Sequence, residues 1–327
     1  MQKKILKPTY IVAEAGINHN SDIKIAKKMI EVAAQCGANA IKFQSFTPDE
    51  LFSEVENPEL YNLSKTWILS KQDHINLQKH SKKNKIVFFS TPCGIKSANL
   101  LKNLKVPFMK IASGEITNLE LIDHIAKMKI PMMISTGMTS ISEIAKVVET
   151  VQSRKCKFSL LHCVSSYPAN TYDANLSTIS QLRKTFNVPV GFSDHTVGID
   201  VSLAAVALGA TIIEKHFTLD KEMEGPDQKL SIDPNELSEL VKKTRIIEKA
   251  MGEPRKIAYK TEEPFKAKMR KSLGANVTIP ANTIVKRSMI TSFRPGTGIP
   301  LNMVENFIGR KTKKTIKKGT LFNWNFF

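Results

Sequence analysis

The chain has 327 residues, 42% of them hydrophobic and 24% charged, with a formal net charge of +18. That length buries a full core with material left for a second, smaller unit, and the composition excludes a fibrous or disordered protein. No stretch is apolar enough for a signal peptide or a bilayer span, and the four cysteines (Cys36, Cys93, Cys156, Cys163) show no CxxC spacing, so reduced thiols in a cytoplasmic protein are expected rather than disulfides or a zinc site.

In chain order, short apolar and β-branched runs predict strands over residues 10–14, 40–44, 86–90, 108–112, 132–136, 158–163, 188–192 and 211–216. Between them apolar residues recur at helical spacing, as in Ile23, Ala26, Met29, Ile30 and Ala33. Pro107, Pro131 and Pro189 stand at strand entrances, where no ladder donor is lost. Eight strands alternating with helices predict an α/β fold, a (β/α)8 TIM barrel spanning residues 1–252. A doubly wound open sheet is the competing fold, but Gly296 and Gly298 follow no strand-to-helix signal, so its Gly-rich fingerprint is missing. The connection over residues 45–70 is too long for a tight turn. With Pro48, Pro58, Tyr61 and Trp67 it reads equally as a lid over the catalytic face or as a packed surface excursion. After a helix over 234–250 the pattern breaks. Residues 253–270 read as a polar, Pro-containing linker, and 271–327 as a small β-rich unit that leans on the barrel or on a partner chain.

Strand ends in a barrel face its catalytic mouth. Here they read Glu14, Lys42, Gln44, Ser90, Thr91, Lys110, Ser113, Ser135, Thr136, His162, Ser193, His195, Glu214 and His216, polar where strand propensity favours apolar residues. Lys42 and Lys110 follow apolar runs, so their charges require either an anion or a barrel glutamate. Together with Thr91, Ser113, Ser135 and Ser193 they form a donor set suited to a phosphate and a carboxylate at once. His195 and His216 close consecutive strands, an arrangement for two imidazole ligands of Mn2+, Co2+ or Zn2+ with positions left for water and substrate. His19 and His162 are weaker candidates. The lysines run along the whole chain without a nucleic-acid reader motif, so no nucleic-acid partner is expected, and the basic field would instead attract a small anion.

The motifs, taken in order, resemble a known family. AEAGINHN (13–20), IKFQ (41–44), FSTP (89–92), KIASGE (110–115), ISTGM (134–138), LHCVSSYP (161–168), GFSDHT (191–196), EKHFTLD (214–220), GPD (225–227) and RPGTGI (294–299) follow the N-acetylneuraminate synthases and their legionaminate and pseudaminate relatives. The resemblance implies a TIM barrel followed by a small antifreeze-like (SAF) domain, and a domain-swapped homodimer with that domain over the partner's barrel mouth. It implies condensation of phosphoenolpyruvate with an N-acyl hexosamine, either N-acetylmannosamine or a 2,4-diacetamido-2,4,6-trideoxy hexose, with release of phosphate. By the same resemblance Lys42, Thr91, Lys110, Ser113, Ser135 and Ser193 bind phosphoenolpyruvate. His195 and His216 hold a divalent metal, usually Mn2+, with Co2+, Mg2+ or Zn2+ as alternatives. Glu14 and Glu115 are the acidic residues of the site, Gln44, Tyr167 and Asp227 lie near the sugar, and Arg294 reaches across the dimer to the acylamino group. The chain departs from the family's pattern at Cys93, at Ser165 and in TIPANT (278–283).

On the residues alone other readings stay open. The acceptor could be the aldose of an eight- or seven-carbon sugar-acid synthase. The barrel could be a metal-free Schiff-base aldolase using Lys110 or Lys42, or a non-catalytic sugar-binding protein.

Overall fold

The computed structural model describes residues 8–327. The chain divides between Gly252 and Glu253 into two compact units. In the first, eight parallel strands close a barrel in sequence order: β1 (Tyr10–Gly16), β2 (Ala40–Ser45), β3 (Val87–Pro92), β4 (Met109–Ile111), β5 (Met132–Ser135), β6 (Phe158–Cys163), β7 (Val190–Asp194) and β8 (Ile212–His216). The (β/α)8 expectation holds, and the strands differ from their sequence-based bounds only at the ends. β4 is shorter because Ser113–Glu115 turns at once into a 3-10 helix.

Side chains alternate between the barrel interior and the surrounding helices, as the pleat requires. Val12, Ala40, Phe89, Met133, Leu161 and Ile212 fill the lower interior, with Tyr10, Val87 and Phe108 packed against them. Two residues further along each strand the interior turns polar, with Glu14, Lys42, Thr91, Lys110, Ser135, Cys163, Ser193 and Glu214. The outward positions, among them Ile11, Ile41, Phe43, Phe88, Ile111, Ile134, Leu160, Val190, Phe192 and Ile213, join the helix-facing core. Each such side chain contributes about 1.5–3 kcal/mol on burial, so this layer carries the stability and leaves the mouth free for polar groups. Gly191 leaves no room on β7 for a side chain. A Cβ there would lie 2.5 Å from the Ile212 carbonyl oxygen and 2.6 Å from Leu161 Cδ2.

The helices follow their sequence signals. Helix Ile23–Gln35 buries Ala26, Met29, Ile30 and Ala33 and starts at Asp22, whose side chain accepts from the Lys24 and Ile25 amides. Ser70, Ser140 and Asp233 begin later helices with capping boxes. Residues 45–70 fold into helices Pro48–Leu51 and Pro58–Ser64 and a 3-10 turn, Lys65–Trp67. Leu51, Trp67 and Ile68 pack on Ile17, Phe46 and Cys93, and Glu50 accepts from the Ser97 amide. The segment is thus a packed excursion that also lends Leu51 to the mouth.

The second unit has its own core of Leu273, Ala275, Ile279, Val285, Ile290, Ile299, Phe307, Ile316, Phe322 and Phe327. β9 (Ser272–Ala275) and β10 (Ile290–Phe293) pair antiparallel, and isolated bridges join Gly274 to Leu321, Ile279 to Ile316 and Ile284 to Lys311. The stretch read as linker contains a helix, Glu263–Met269, started by Pro264 in its first turn. The positive charge is not evenly spread: residues 253–327 hold sixteen Lys and Arg against four Glu. Among the described residues no helix is long and apolar enough to cross a membrane.

Candidate active site

The polar layer opens at the C-terminal end of the barrel into a cavity of about 300 Å3 lined by Glu14, Lys42, Gln44, Leu51, Thr91, Cys93, Lys110, Ser113, Glu115, Ser135, Cys163, Tyr167, Ser193, His195, Glu214, His216 and Asp227, among others. Of the fourteen site residues that the family resemblance assigns, thirteen line this one surface. The fourteenth, Arg294, belongs to the second unit, where it follows β10 and its Nε donates to the Met269 carbonyl at 2.9 Å.

At the base of the cavity four charged side chains interlock. Lys42 Nζ lies 2.9 Å from Glu14 Oε1 and 3.6 Å from Glu214 Oε2, and Lys110 Nζ lies 3.2 Å from Glu214 Oε1. Lys42 also donates to Thr91 Oγ1 at 2.9 Å, and Ser193 Oγ donates to Glu214 Oε1 at 2.9 Å. All four charged groups are at most 5% exposed. The two lysines thus have barrel glutamates as partners. Glu214, a strand-end residue not among the assigned site positions, is the hub between them. Its signal in sequence was its place two residues after Ile212, on the inward-facing parity of β8.

The environments of the two glutamates diverge. Burial pushes the Glu14 carboxyl up, against the pull of Lys42. Burial would raise Glu214 too, but Lys110 and Lys42 override it and hold that carboxyl at about 2. Lys110 is lowered by burial, which outweighs Glu214, whereas Lys42 is raised because Glu14 and Glu214 together overcome its desolvation. A raised acid beside a depressed one is the pattern of divided proton roles.

The two imidazoles sit at the ends of β7 and β8, two residues beyond Ser193 and Glu214, with ring centroids 5.4 Å apart. His195 Nδ1 donates to the Val164 carbonyl oxygen at 2.8 Å, which in the neutral ring leaves Nε2 with its lone pair free. His216 Nδ1 is buried without a hydrogen-bond partner, and burial holds this ring well below its ordinary value, hence neutral. Asp227 Oδ2 stands 3.7 Å from His216 Nδ1, and the Tyr167 ring covers His195 at 4.2 Å between centroids. Two imidazoles side by side, one of them with an orphaned nitrogen, fit a divalent transition metal. Among the described residues no group of three His, Cys, Asp or Glu converges on one point. Unpartnered buried atoms gather along the same walls: Glu14 Oε2, Ser135 Oγ, Glu214 Oε2 and His216 Nδ1.

Three strand-end residues, and His19 beyond the end of β1, turn away from the cavity. Ser90 Oγ bonds Ser45 Oγ and the Phe43 carbonyl oxygen on the helix side of the barrel. Thr136 Oγ1 donates to the Leu161 carbonyl oxygen, and His162 Nε2 bonds the Ala174 carbonyl oxygen while its ring stacks on Phe192. His19 is fully buried beside Phe43, with Nδ1 accepting from the Ser21 amide. Parity decides the strand residues: Ser90 and His162 are one residue out of phase with Phe89 and Leu161, which face the interior.

The match to a family model covers residues 29–256, and that family is NeuB. The chain is 42% identical to the N,N'-diacetyllegionaminic acid synthase of Campylobacter jejuni, over 97% of this chain and 99% of that protein. It is 35% identical to the human N-acetylneuraminate-9-phosphate synthase, over 95% and 90% of the two chains. The crystal structure of the N-acetylneuraminic acid synthetase of Leptospira borgpetersenii is similar at a TM-score of 0.76 and 41% identity, covering 81% of this chain and 95% of that one. The chain belongs to the NeuB family.

Proposed function

We propose that the chain condenses phosphoenolpyruvate with an N-acyl hexosamine to give a nonulosonic acid of the sialic or legionaminic type, acting in the cytoplasm as a homodimer. One arrangement carries this reading: two buried lysines, four hydroxyl-bearing residues and two adjacent imidazoles line a single cavity. The lysines and hydroxyls suit the phosphate and carboxylate of phosphoenolpyruvate. Lys42 and Lys110 exchange part of their pairing with Glu14 and Glu214 for the ligand's anionic oxygens, and Thr91, Ser113, Ser135 and Ser193 supply hydrogen bonds. His195 and His216 would hold the metal, Mn2+ by preference, which when bound polarises the sugar aldehyde as a Lewis acid.

The reaction forms a bond from C3 of phosphoenolpyruvate to the aldehyde carbon of the sugar, and the aldehyde oxygen takes up a proton. Water then adds at C2, and inorganic phosphate leaves by C–O cleavage. The brief positive charge at C2 is met by the Glu214 carboxylate, which its lysine partners hold ionised. Glu14, with its raised carboxyl and free Oε2, holds a proton most readily. Glu115, half-buried and accepting from Asn118 at 2.9 Å, sits at the rim with Gln44, Tyr167 and Asp227 to meet the sugar. Leu51 and Cys93 add an apolar wall where a methyl group packs better than a hydroxyl, which favours the diacetamido-trideoxy sugar. In the dimer the second unit, as an antifreeze-like domain, brings Arg294 to the partner's mouth. The rim side chains Val55, Met138, Tyr172 and Val197, each more than two-thirds exposed, are what it would cover.

The test is phosphate release from phosphoenolpyruvate with Mn2+, offering N-acetylmannosamine beside its 2,4-diacetamido-2,4,6-trideoxy analogue. Release that needs a sugar and is abolished by EDTA supports the reading. A second reading draws on the lowered Lys110 amine, as a Schiff-base aldolase would require. Borohydride trapping of the protein with pyruvate, and full activity in EDTA, would favour it instead.

A further inference from the structure

Behind the two imidazoles lies a charge pair that the cavity does not use. Asp194 and Lys215 face each other in register across β7 and β8, and their side chains point outward, away from Ser193 and Glu214. Lys215 Nζ is 2.9 Å from Asp194 Oδ2, and each residue is 1% exposed. Lower on the same two strands the outward positions are Val190, Phe192 and Ile213, which pack in the apolar core. Two buried charges at this level therefore carry a desolvation cost that a pair of aliphatic side chains would avoid.

The hydrogen bonds show what the pair holds. Asp194 Oδ1 accepts from the Thr196 amide and from Thr196 Oγ1, both at 2.8 Å. Asp194 Oδ2 also accepts from Ser202 Oγ at 2.6 Å, which anchors the pair to helix Asp200–Ala207. The Lys215 ammonium donates to the Thr196 carbonyl oxygen. Lys215 immediately precedes His216, and Asp194 and Thr196 immediately flank His195. One buried ammonium thus grips the chain on both sides of the first imidazole from a position next to the second.

We infer that Asp194 and Lys215 form a positioning clasp that fixes His195 against His216 and so presets the imidazole pair for its metal ion. The inference rests on the metal reading proposed above. Neither residue touches the cavity, and both act through the backbone of the histidines. Preset ligands lower what must be ordered when the ion arrives, and outer partners of metal-binding histidines commonly change affinity by about 10- to 100-fold. The lysine–glutamate cluster that meets phosphoenolpyruvate has its own partners and does not depend on the clasp.

The variants are Lys215→Met and the neutral, near-isosteric double replacement Asp194→Asn/Lys215→Met, with His195→Ala as control. The double replacement leaves no lone buried charge, so it keeps the fold accessible if Lys215→Met alone fails to fold. Mn2+ binding is measured on the full chain without substrates, by the electron paramagnetic resonance signal of the free ion, after circular dichroism confirms folding. The expected result is Mn2+ affinity about 10- to 100-fold weaker in the double variant. Half-maximal activity should shift to correspondingly higher Mn2+, while KM for phosphoenolpyruvate at saturating Mn2+ stays within about twofold, since that site is left intact. A folded double variant with wild-type Mn2+ affinity, beside a His195→Ala protein that has lost it, overturns the clasp and leaves the metal reading standing. Wild-type protein that binds no Mn2+ overturns both.

Discussion

Replacing Lys110 by Met removes one charge from the centre of the cavity while keeping most of the side chain's volume. In the folded chain its Nζ is 3.2 Å from Glu214 Oε1, an attraction of about 5 kcal/mol at an effective dielectric constant near 20. Glu214 is not stranded by the change, because Lys42 remains 3.6 Å away and Ser193 still donates to it. We therefore expect the variant to lose about 3 kcal/mol of stability, the low end for a broken buried pair, and to stay folded, since domains hold about 5–15 kcal/mol. Its effect on phosphoenolpyruvate is separate. A charge-assisted hydrogen bond to an anion is worth about 1.5–3 kcal/mol, so KM for phosphoenolpyruvate should rise about 10- to 150-fold. The sugar KM at saturating phosphoenolpyruvate should change little. The assay is initial-rate phosphate release with each substrate varied in turn, alongside urea unfolding. A folded Lys110→Met protein with unchanged KM for phosphoenolpyruvate would refute the assignment of the lysine side of the cavity to the anion.

Burial lowers His19 to about 4, so below its unfolded value near 6.5 the unfolded chain binds the proton first and stability falls with pH. Between pH 7 and pH 5 this one residue should cost about 2 kcal/mol, and His19→Asn should flatten the pH dependence of the urea midpoint; equal slopes in the two proteins would contradict it. Gly191→Ala puts a Cβ 2.5 Å from the Ile212 carbonyl oxygen, backbone that cannot swing aside, so a loss of about 2 kcal/mol and roughly 4–8 °C in Tm is expected by calorimetry. The proposed dimer is testable by mixing inactive His195→Ala and Arg294→Ala chains after unfolding and refolding together. If each site takes Arg294 from its partner, half the dimers are hybrids with one intact site, and about a quarter of wild-type activity returns; no recovery would place Arg294 with its own barrel.

Much of this protein was legible in one dimension. The barrel follows from period: apolar runs of strand length alternate with segments of period near 3.6, and Ala26, Met29, Ile30 and Ala33 fall on the buried face that their spacing demands. The polar mouth follows from where those runs stop, because a lysine or histidine two residues past an inward-facing Ala40, Phe108 or Glu214 must face inward too. Adjacent strand-end residues differ in fate only by the phase of the pleat, and a short run leaves that phase undetermined by one residue. Hence Ser90 and His162 lie on the helix side while Thr91 and Cys163 line the cavity. Pairing between charges was likewise closed to the sequence. Lys42 and Glu214 are far apart in the chain, and only closure of the barrel between β8 and β1 brings that carboxylate within reach of two lysines. The same holds for Asp194 and Lys215, which in the sequence are simply neighbours of two histidines. Strand register turned them into a buried pair, because local propensity sets which residues form strands, whereas long-range packing sets which of them meet.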